Sequence, residues 1–272
     1  MPQLIAGNWK MHGLGRAAAG LAESLRRQAR GLDCDLLVCP PFIRLAAVAD
    51  IMAGGPIGVG GQDCHWSAQA EGAHTGDISA AMLRDAGATW VIVGHSERRA
   101  NHGETDALVC AKAQAATSCG LTPIVCVGET EADRLAGRHE TVVAAQVAGS
   151  LPAGFDGVVA YEPAWAIGSG RVPTDADIVA MHGLIAGLLR QRLGPSAHAI
   201  RILYGGSVKP ENAAALLALP GVGGALIGGA SLHADEFLAI ARAATPGPPA
   251  SLAAAPALEA ARPAGLADRD AR

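Results

Sequence analysis

The stretch LIAGNWKMHG, from Leu4 to Gly13, decides between the two folds that this sequence allows. It starts with a short apolar run, which predicts a buried strand, and continues into a polar turn. The first strand of a doubly wound nucleotide-binding sheet continues into a G-x-G-x-x-G turn, whose glycines let the backbone approach a phosphate. The turn GNWKMHG lacks that spacing. The stretch therefore favours a closed barrel over an open sheet.

Further apolar runs of similar length lie downstream, and segments of helical period separate them. Continuous apolar strands are typical of parallel sheets that are covered on both faces, and alternation of strand with helix requires parallel crossovers. Eight such units in about 245 residues have the number and size of a closed (β/α)₈ barrel, the TIM-barrel architecture of the α/β class. The predicted strands begin at Leu4, Asp35, Ile57, Trp90, Thr122, Gly157, Arg201 and Gly224.

The composition predicts one globular catalytic domain followed by a tail. Half of the 272 residues are hydrophobic and 17% are charged, which is enough apolar material for a large core. From Thr245 the sequence becomes rich in proline and alanine and shows no strand pattern. We therefore expect a barrel domain over residues 1–244 and a disordered tail over residues 245–272.

Charge and hydropathy exclude several classes of partner. A net charge of −4 without a dense Lys/Arg run argues against nucleic acid and membrane surfaces, but local groups can still bind a small anion. The start MPQLIAGNWK has no basic segment ahead of an apolar one, and no run is long enough to span a bilayer. We expect a cytoplasmic protein.

The cysteines and histidines show no ligand or disulfide spacing. The chain is too long to need disulfides, so reduced thiols are expected, and the histidines other than His95 lack zinc-ligand spacing. We therefore expect no metal. The six cysteines are Cys34, Cys39, Cys64, Cys110, Cys119 and Cys126.

Polar residues follow several predicted strands, where a barrel has its active site. Asn8 and Lys10 follow the first strand, His95 and Glu97 the fourth, and Glu162 the sixth. A lone acid or histidine at a strand end is usually structural, but an acid, an imidazole and a cation occurring together outweigh that interpretation. Proton abstraction beside a carbonyl needs a carboxylate, whose basicity burial raises, and a fixed donor for the developing oxyanion.

Two glycine-rich turns follow the last two predicted strands. Gly205, Gly206 and Ser207 follow the seventh strand, and Gly228 and Gly229 follow the eighth. Glycine lets backbone N–H groups approach a ligand, and the start of a helix adds partial positive charge. Because barrels usually bind phosphate at the last two strands, the turns predict a phosphate site.

The motifs GNWK, GHSERR, CVGE, AYEPAWAIGSG, YGGSV and IGGASL occur in this order. From Leu4 to about Ala244 the chain resembles the triosephosphate isomerase family. The resemblance implies an isomerase that interconverts dihydroxyacetone phosphate and D-glyceraldehyde 3-phosphate through an enediolate, a step of glycolysis and gluconeogenesis. It implies no cofactor and no metal.

The resemblance also assigns roles to the strand-end residues. Glu162 would move a proton between two substrate carbons, and a neutral His95 would polarise the carbonyl. Lys10 would offset the charge of the enediolate, Asn8 would donate to a substrate oxygen, and Glu97 would pair with Lys10. The phosphate would contact Gly168, Ser207, Gly228 and Gly229, and a lid with its latch would involve Pro163, Trp165, Ile167, Ser169, Gly170 and Tyr204.

The family is also the source of an expected homodimer. The loop over residues 65–76 would form the contact, and Thr75 would reach the neighbouring subunit's active site. Two departures fall on this surface: His12 stands where the family usually has asparagine, and the loop is about two residues longer than the common form. Neither touches the expected catalytic set.

Two alternatives remain open. The first is an isomerase of the same fold that acts on a four-carbon sugar phosphate. The second is a catalytically silent scaffold paralogue, against which the intact set of Asn8, Lys10, His95 and Glu162 argues. Fold alone separates neither from a triosephosphate isomerase.

Overall fold

The structure is a computed structural model that describes residues 1–166 and 173–244. Eight parallel strands pair in chain order, and the last strand pairs with the first. The predicted closed (β/α)₈ barrel is confirmed. The strands are β1 (Leu4–Asn8), β2 (Asp35–Cys39), β3 (Ile57–Gly61), β4 (Trp90–Val93), β5 (Thr122–Val127), β6 (Val158–Tyr161), β7 (Ile202–Tyr204) and β8 (Gly224–Ile227).

Glycine closes the barrel at the seam between β1 and β8. Leu4 pairs with Gly224, whose φ of +139° is unfavourable for residues that carry a side chain. A Cβ at Gly224 would lie 2.0 Å from the Leu4 carbonyl oxygen. The first and last strands can therefore approach each other only with glycine at this position.

Helices cover the outside of the barrel, and side-chain caps begin several of them. The hydroxyls of Thr130 and Thr174 accept backbone N–H groups, and Asp133 and Asp177 complete the two capping boxes. The helices are α1 (Gly15–Gln28), α2 (Phe42–Met52), α3 (Ala80–Asp85), α4 (Ser96–His102), α5 (Asp106–Ser118), α6 (Glu131–Leu135), α7 (His139–Ser150), α8 (Asp175–Leu193), α9 (Pro210–Leu217) and α10 (Ala234–Ala243).

The core has two apolar layers, which the alternation of side chains along the strands separates. Leu4 and Ala6 of β1 belong to the cluster that fills the barrel, while Ile5 belongs to the cluster between strands and helices. The filled interior leaves the ends of the strands as the place for a site. The six cysteines are free thiols.

Two further sequence predictions concern membrane spans and the C-terminal tail. Within the described residues, no helix is both long and apolar enough to cross a membrane. The predicted tail, residues 245–272, lies outside the described residues.

Candidate active site

The predicted strand-end residues lie around one cavity of about 950 Å³ at the carboxyl ends of the strands. The barrel positions them because each lies at the end of its strand or within a few residues of it, and parallel strands end at the same rim. The cavity lining includes Asn8, Lys10, His95, Glu97, Glu162, Gly205, Gly206, Ser207, Gly228 and Gly229. Residues from five strand ends, more than 200 positions apart in sequence at the extremes, therefore share one cavity.

Glu162 and His95 form a direct contact in this cavity. The Glu162 Oε1 atom lies 2.9 Å from His95 Nε2, and Glu162 Oε2 accepts the backbone N–H of Ser96 at 2.8 Å. Glu162 is 2% exposed and His95 is 5% exposed. Water therefore screens little of the interaction between the carboxylate and the imidazole.

The backbone fixes which ring nitrogen of His95 carries the proton. His95 is the N-cap of α4, and its Nδ1 accepts the backbone N–H of Glu97 at 3.2 Å. An accepting Nδ1 carries no proton, so the neutral ring holds its proton on Nε2, the atom that faces Glu162. His95 is thus oriented to donate into the cavity.

The pKa directions of this pair differ from the expectation for Glu162. Burial raises the pKa of the Glu162 carboxyl, but the His95 ring and the Ser96 N–H stabilise the carboxylate, and the net pKa is lowered. Burial lowers the pKa of His95, but the Glu162 carboxylate outweighs it, and the net pKa is raised. The raised basicity expected from burial is therefore absent while Glu162 keeps these two hydrogen bonds.

Lys10 reaches the cavity from a strained backbone. Its φ of 51° is the one positive value found for a non-glycine residue in residues 1–166 and 173–244. The Asn8 side-chain oxygen accepts the Lys10 N–H at 3.0 Å, and Gln62 donates to the Lys10 carbonyl at 2.9 Å. The Lys10 ammonium forms an ion pair with Glu97. Two side chains thus hold the turn that aims the cation.

The two glycine turns lie against other residues of the site. A Cβ at Gly206 would lie 2.2 Å from the Tyr204 hydroxyl, and one at Gly205 would lie 2.8 Å from Glu162 Cγ. A side chain at either position would collide with a neighbouring site residue. Both positions therefore need glycine even without a bound ligand. A Cβ at Gly228 would lie 3.2 Å from Lys10 Cε, which places the second turn beside the cation.

Glu129 holds the segment that leads away from Glu162. Its Oε1 accepts the Tyr161 hydroxyl at 3.1 Å and the Trp165 indole N–H at 2.9 Å, and Glu129 is fully buried. Pro163 is buried, and its carbonyl accepts the Ala166 N–H at 2.8 Å in a short 3₁₀ turn. The predicted lid and phosphate residues Ile167, Gly168, Ser169 and Gly170 lie outside the described residues.

The predicted latch residue, Tyr204, lies in the interior, and the predicted dimer residue, Thr75, lies on the surface. Tyr204 is buried, and its hydroxyl has no hydrogen-bond partner within the described part of the chain. Thr75 is exposed in the connection between β3 and α3, and it does not line the cavity. The structure therefore leaves both without a contact that tests their predicted roles.

One group of potential metal ligands lies away from the cavity. Donor atoms of His65, His74 and Asp77 all lie within 4.8 Å of one another, although these histidines show no zinc-ligand spacing along the chain. His65 Nδ1 accepts the Ser67 N–H at 3.2 Å, which puts its proton on Nε2, 3.4 Å from Asp77. The arrangement places a histidine within ion-pair distance of a carboxylate.

Comparison with known proteins identifies the family. The family pattern described as "Triosephosphate isomerase" matches residues 3–244. The chain belongs to the triosephosphate isomerase family. Two relatives of that name, from Granulibacter bethesdensis and Acidiphilium cryptum, are each 55% identical, and the matches cover 89% and 90% of this chain and 99% of each relative.

A solved triosephosphate isomerase supports the same conclusion. The crystal structure of the enzyme from Bartonella henselae superimposes with a TM-score of 0.83 at 43% identity, over 89% of this chain and 99% of that one. Membership in the triosephosphate isomerase family makes this chain an isomerase. The recognition from ordered sequence motifs is confirmed.

The sequence missed four residues that hold the site. Ser96, Gln62 and Glu129 contact site residues directly, and Gln146 contacts Gly128, which lies against the backbone of Glu162. The motifs CVGE and GHSERR contain Glu129 and Ser96 and were usable signals. The contacts of Gln62 and Gln146 depend on the folded arrangement, which no local pattern in the sequence indicates.

Proposed function

We propose that this isomerase interconverts dihydroxyacetone phosphate and D-glyceraldehyde 3-phosphate, with Glu162 as the base and His95 as the proton carrier at oxygen. The observation that carries the proposal is the 2.9 Å contact between Glu162 and His95 in a cavity shared with Lys10 and two glycine turns. The reaction needs these groups: a base for a carbon-bound proton, a donor to the carbonyl oxygen, and cationic and N–H groups for an anion.

Glu162 changes its hydrogen bonds during the proposed proton transfer. To reach a carbon-bound hydrogen, the carboxylate leaves His95 and the Ser96 N–H, the groups that lower its pKa most. Burial then remains as the dominant cause and raises the basicity of the carboxylate. The His95 Nε2 proton, released from Glu162, becomes available to the substrate oxygen.

Charge that develops on the substrate is stabilised by other residues of the same cavity. Lys10 and Asn8 line the cavity, and so do Ser207, Gly228 and Gly229 of the two glycine turns, whose backbone N–H groups can donate to an anion. Such preorganised donors stabilise an enediolate and hold a phosphate. By resemblance, Gly168 adds a further phosphate contact, and Ile167, Ser169 and Gly170 belong to the lid.

The substitution Glu162→Gln tests the assignment of the base. We expect kcat to fall by at least ~10²–10⁴-fold, the contribution of a positioned general base, while KM changes little because the phosphate turns are intact. A coupled assay with glyceraldehyde 3-phosphate measures both constants. Glu140→Gln, at an exposed position of α7, is the matched control. Near-normal kcat in Glu162→Gln would remove Glu162 from the mechanism.

Substrate length separates the proposed reaction from the four-carbon alternative. We expect kcat/KM to be higher for the three-carbon phosphate, because the chain belongs to a family named for that substrate. The same protein preparation assayed with three- and four-carbon sugar phosphates gives the ratio. A higher kcat/KM for the four-carbon substrate would favour the alternative, and no turnover of either would favour a silent paralogue.

The functional unit proposed here is a homodimer. Among the described residues, six of the eight exposed large hydrophobic side chains lie in the segments that follow β1, β2 and β3. Consecutive strands are neighbours in the barrel, so these side chains lie on adjacent connections at one end, and such a patch is typical of an interface. They are Met11, Leu14, Phe42, Ile43, Trp66 and Met82.

The extent and location of the catalytic unit are also part of the proposal. The family match ends at residue 244, and α10 ends at Ala243, which supports a catalytic domain over residues 1–244. Six free thiols support a location in the reducing cytoplasm. The tail over residues 245–272 has no part in the proposed chemistry.

A further inference from the structure

The end of β5 carries a contact that neither the family motifs nor the proposed chemistry explains. Gln146, in α7, uses both ends of its side-chain amide on one residue. Its Oε1 accepts the Gly128 N–H at 2.7 Å, and its Nε2 donates to the Gly128 carbonyl at 3.0 Å. Gln146 lines no part of the cavity, so it has no direct contact with a substrate there.

The position of Gly128 explains why these two backbone groups need a side-chain partner. The backbone on either side continues the ladder with the next strand: Val127 O accepts the Glu162 N–H at 2.8 Å, and Glu129 O accepts the Ala164 N–H at 3.1 Å. In a parallel ladder, the residue between them directs its N–H and C=O to the opposite neighbour. That neighbour, β4, ends at Val93, which pairs with Val125.

The Gln146 amide therefore replaces the missing strand. It presents one donor and one acceptor to Gly128, as a peptide group of β4 would if that strand continued. The chain itself has left the sheet there, because it turns at Gly94 to begin α4 with His95 as N-cap. The end of β5 is thus held on one side by the backbone at Glu162 and on the other by Gln146.

Gly128 also lies in direct contact with the backbone of the proposed base. A Cβ at Gly128 would lie 1.7 Å from the Glu162 carbonyl oxygen and 2.6 Å from the Glu162 carbonyl carbon. The next residue, Glu129, holds Tyr161 and Trp165 on either side of Glu162. A shift of the peptide at Gly128 consequently moves the backbone that carries the Glu162 side chain.

We propose that Gln146 is a positioning residue for the proton transfer: through Gly128 it fixes the backbone from which Glu162 reaches the substrate. The inference rests on the proposed role of Glu162 as the base. Loss of the amide removes two hydrogen bonds and leaves the Gly128 N–H and C=O without their partner. The carboxylate then samples more positions relative to the substrate carbon, and misplacement of a reacting group slows the reaction steeply.

The substitution Gln146→Met tests the inference, because methionine has a similar length and no amide. We expect kcat per folded molecule to fall roughly tenfold, with KM for glyceraldehyde 3-phosphate nearly unchanged because the phosphate turns are untouched. Gln28→Met is the matched control: this glutamine also lies on a helix and donates to one neighbour, Ser24 Oγ at 3.0 Å, far from β5. We expect the control to retain wild-type kcat.

A deuterium isotope effect separates positioning from loss of structure. With substrate deuterated at the carbon that loses its proton, we expect a larger isotope effect on kcat in Gln146→Met, because slower proton transfer limits more of the turnover. A variant that is only less stable loses folded protein and keeps the wild-type isotope effect. Gln146→Glu, which keeps an acceptor for the Gly128 N–H and loses the donor, is expected to show the same increase.

The outcomes distinguish this inference from the proposed function. Normal kcat and a normal isotope effect in a folded Gln146→Met or Gln146→Glu protein overturn the positioning role alone, provided that Glu162→Gln is inactive. High activity of Glu162→Gln overturns the assignment of the base, whatever the Gln146 variants do.

Discussion

At the scale of single residues, His182 is a buried titratable group that the proposed chemistry does not use. It is fully buried in α8, its Nδ1 contacts the Gly221 carbonyl at 3.1 Å, and its ring packs edge-on against Tyr161. Burial lowers the pKa of His182 to about 4, and the Gly221 carbonyl opposes this only in part. The folded chain therefore stays neutral at His182 where an unfolded chain takes up a proton.

The stability of the protein should consequently fall in mild acid. Between the unfolded pKa of 6.5 and the folded pKa of about 4, the unfolded state binds more protons, so the free energy of unfolding decreases as pH falls. The slope from this residue is about 1.4 kcal/mol per pH unit, and it vanishes above and below that window.

The substitution His182→Asn removes this slope, because the asparagine amide keeps a donor for the Gly221 carbonyl and does not titrate. Urea unfolding at several pH values from 4 to 7.5, at one fixed protein concentration, measures the difference between wild type and variant. We expect that difference to shrink towards low pH. His198→Asn, at an exposed position, is the matched control. Parallel curves for wild type and His182→Asn would show that the buried histidine does not govern acid stability.

The site residues that sequence predicted share one property, which Gln146 lacks. Glu162 and His95 lie within two residues of the ends of their strands, so the barrel itself brings them to one rim. Their place could therefore be inferred before any contact was known. Gln146 lies on a helix, 18 positions from Gly128, and its contact depends on where β4 ends. The φ of Lys10 likewise depends on Asn8 and Gln62 together.

At the scale of elements, glycines within helices offer a test of what the backbone tolerates. Gly20 in α1 and Gly183 in α8 are exposed, and a Cβ at either would meet nothing within 4 Å. Alanine there should raise the free energy of unfolding by about 0.5–1 kcal/mol each, because glycine loses more conformational freedom on folding.

The control for this prediction is a glycine with equal space but a different backbone. Gly120, just after α5, also has nothing within 4 Å of a built Cβ, but its φ is +75°. Gly120→Ala should lower the free energy of unfolding by about 1 kcal/mol because left-handed backbone disfavours alanine. Denaturant unfolding of the three variants checks both signs. Destabilisation by Gly20→Ala and Gly183→Ala would show that neighbouring packing outweighs backbone entropy.

Strand burial and helix length explain which elements the sequence predicted. Strands such as β1, β2 and β5 begin at the predicted residues because they are buried on both faces and so read as continuous apolar runs. The helices α3 and α6 have six and five residues, too few to establish a helical period. Their caps at Ser79 and Thr130 and their packing define them instead.

At the scale of the whole molecule, the exposed apolar side chains raise the question of how many chains form the enzyme. Six of the eight in the described part of the chain follow the first three strands, and Thr75 lies on one of those connections. A surface of this kind is costly to leave in water, and a second copy of the chain would cover it symmetrically. The sequence could indicate this surface only through the family resemblance, since no pattern within one strand or helix reports it.

The dimer prediction is tested by placing charge on that surface. Trp66 is 52% exposed, so Trp66→Arg leaves the barrel core intact, while burial of an unpaired guanidinium in an interface disfavours association. We expect light scattering to give twice the chain mass of 27.4 kDa for wild type and the mass of one chain for Trp66→Arg. We also expect the activity of Trp66→Arg to be reduced, because Thr75 would no longer reach the neighbouring site. Leu135→Arg is the matched control: Leu135 is 82% exposed on α6, away from the first three connections, and its variant should remain dimeric.

A fully active wild-type monomer would overturn both the dimer and the role of Thr75. Dissociation by Leu135→Arg instead of Trp66→Arg would move the interface to the other side of the barrel.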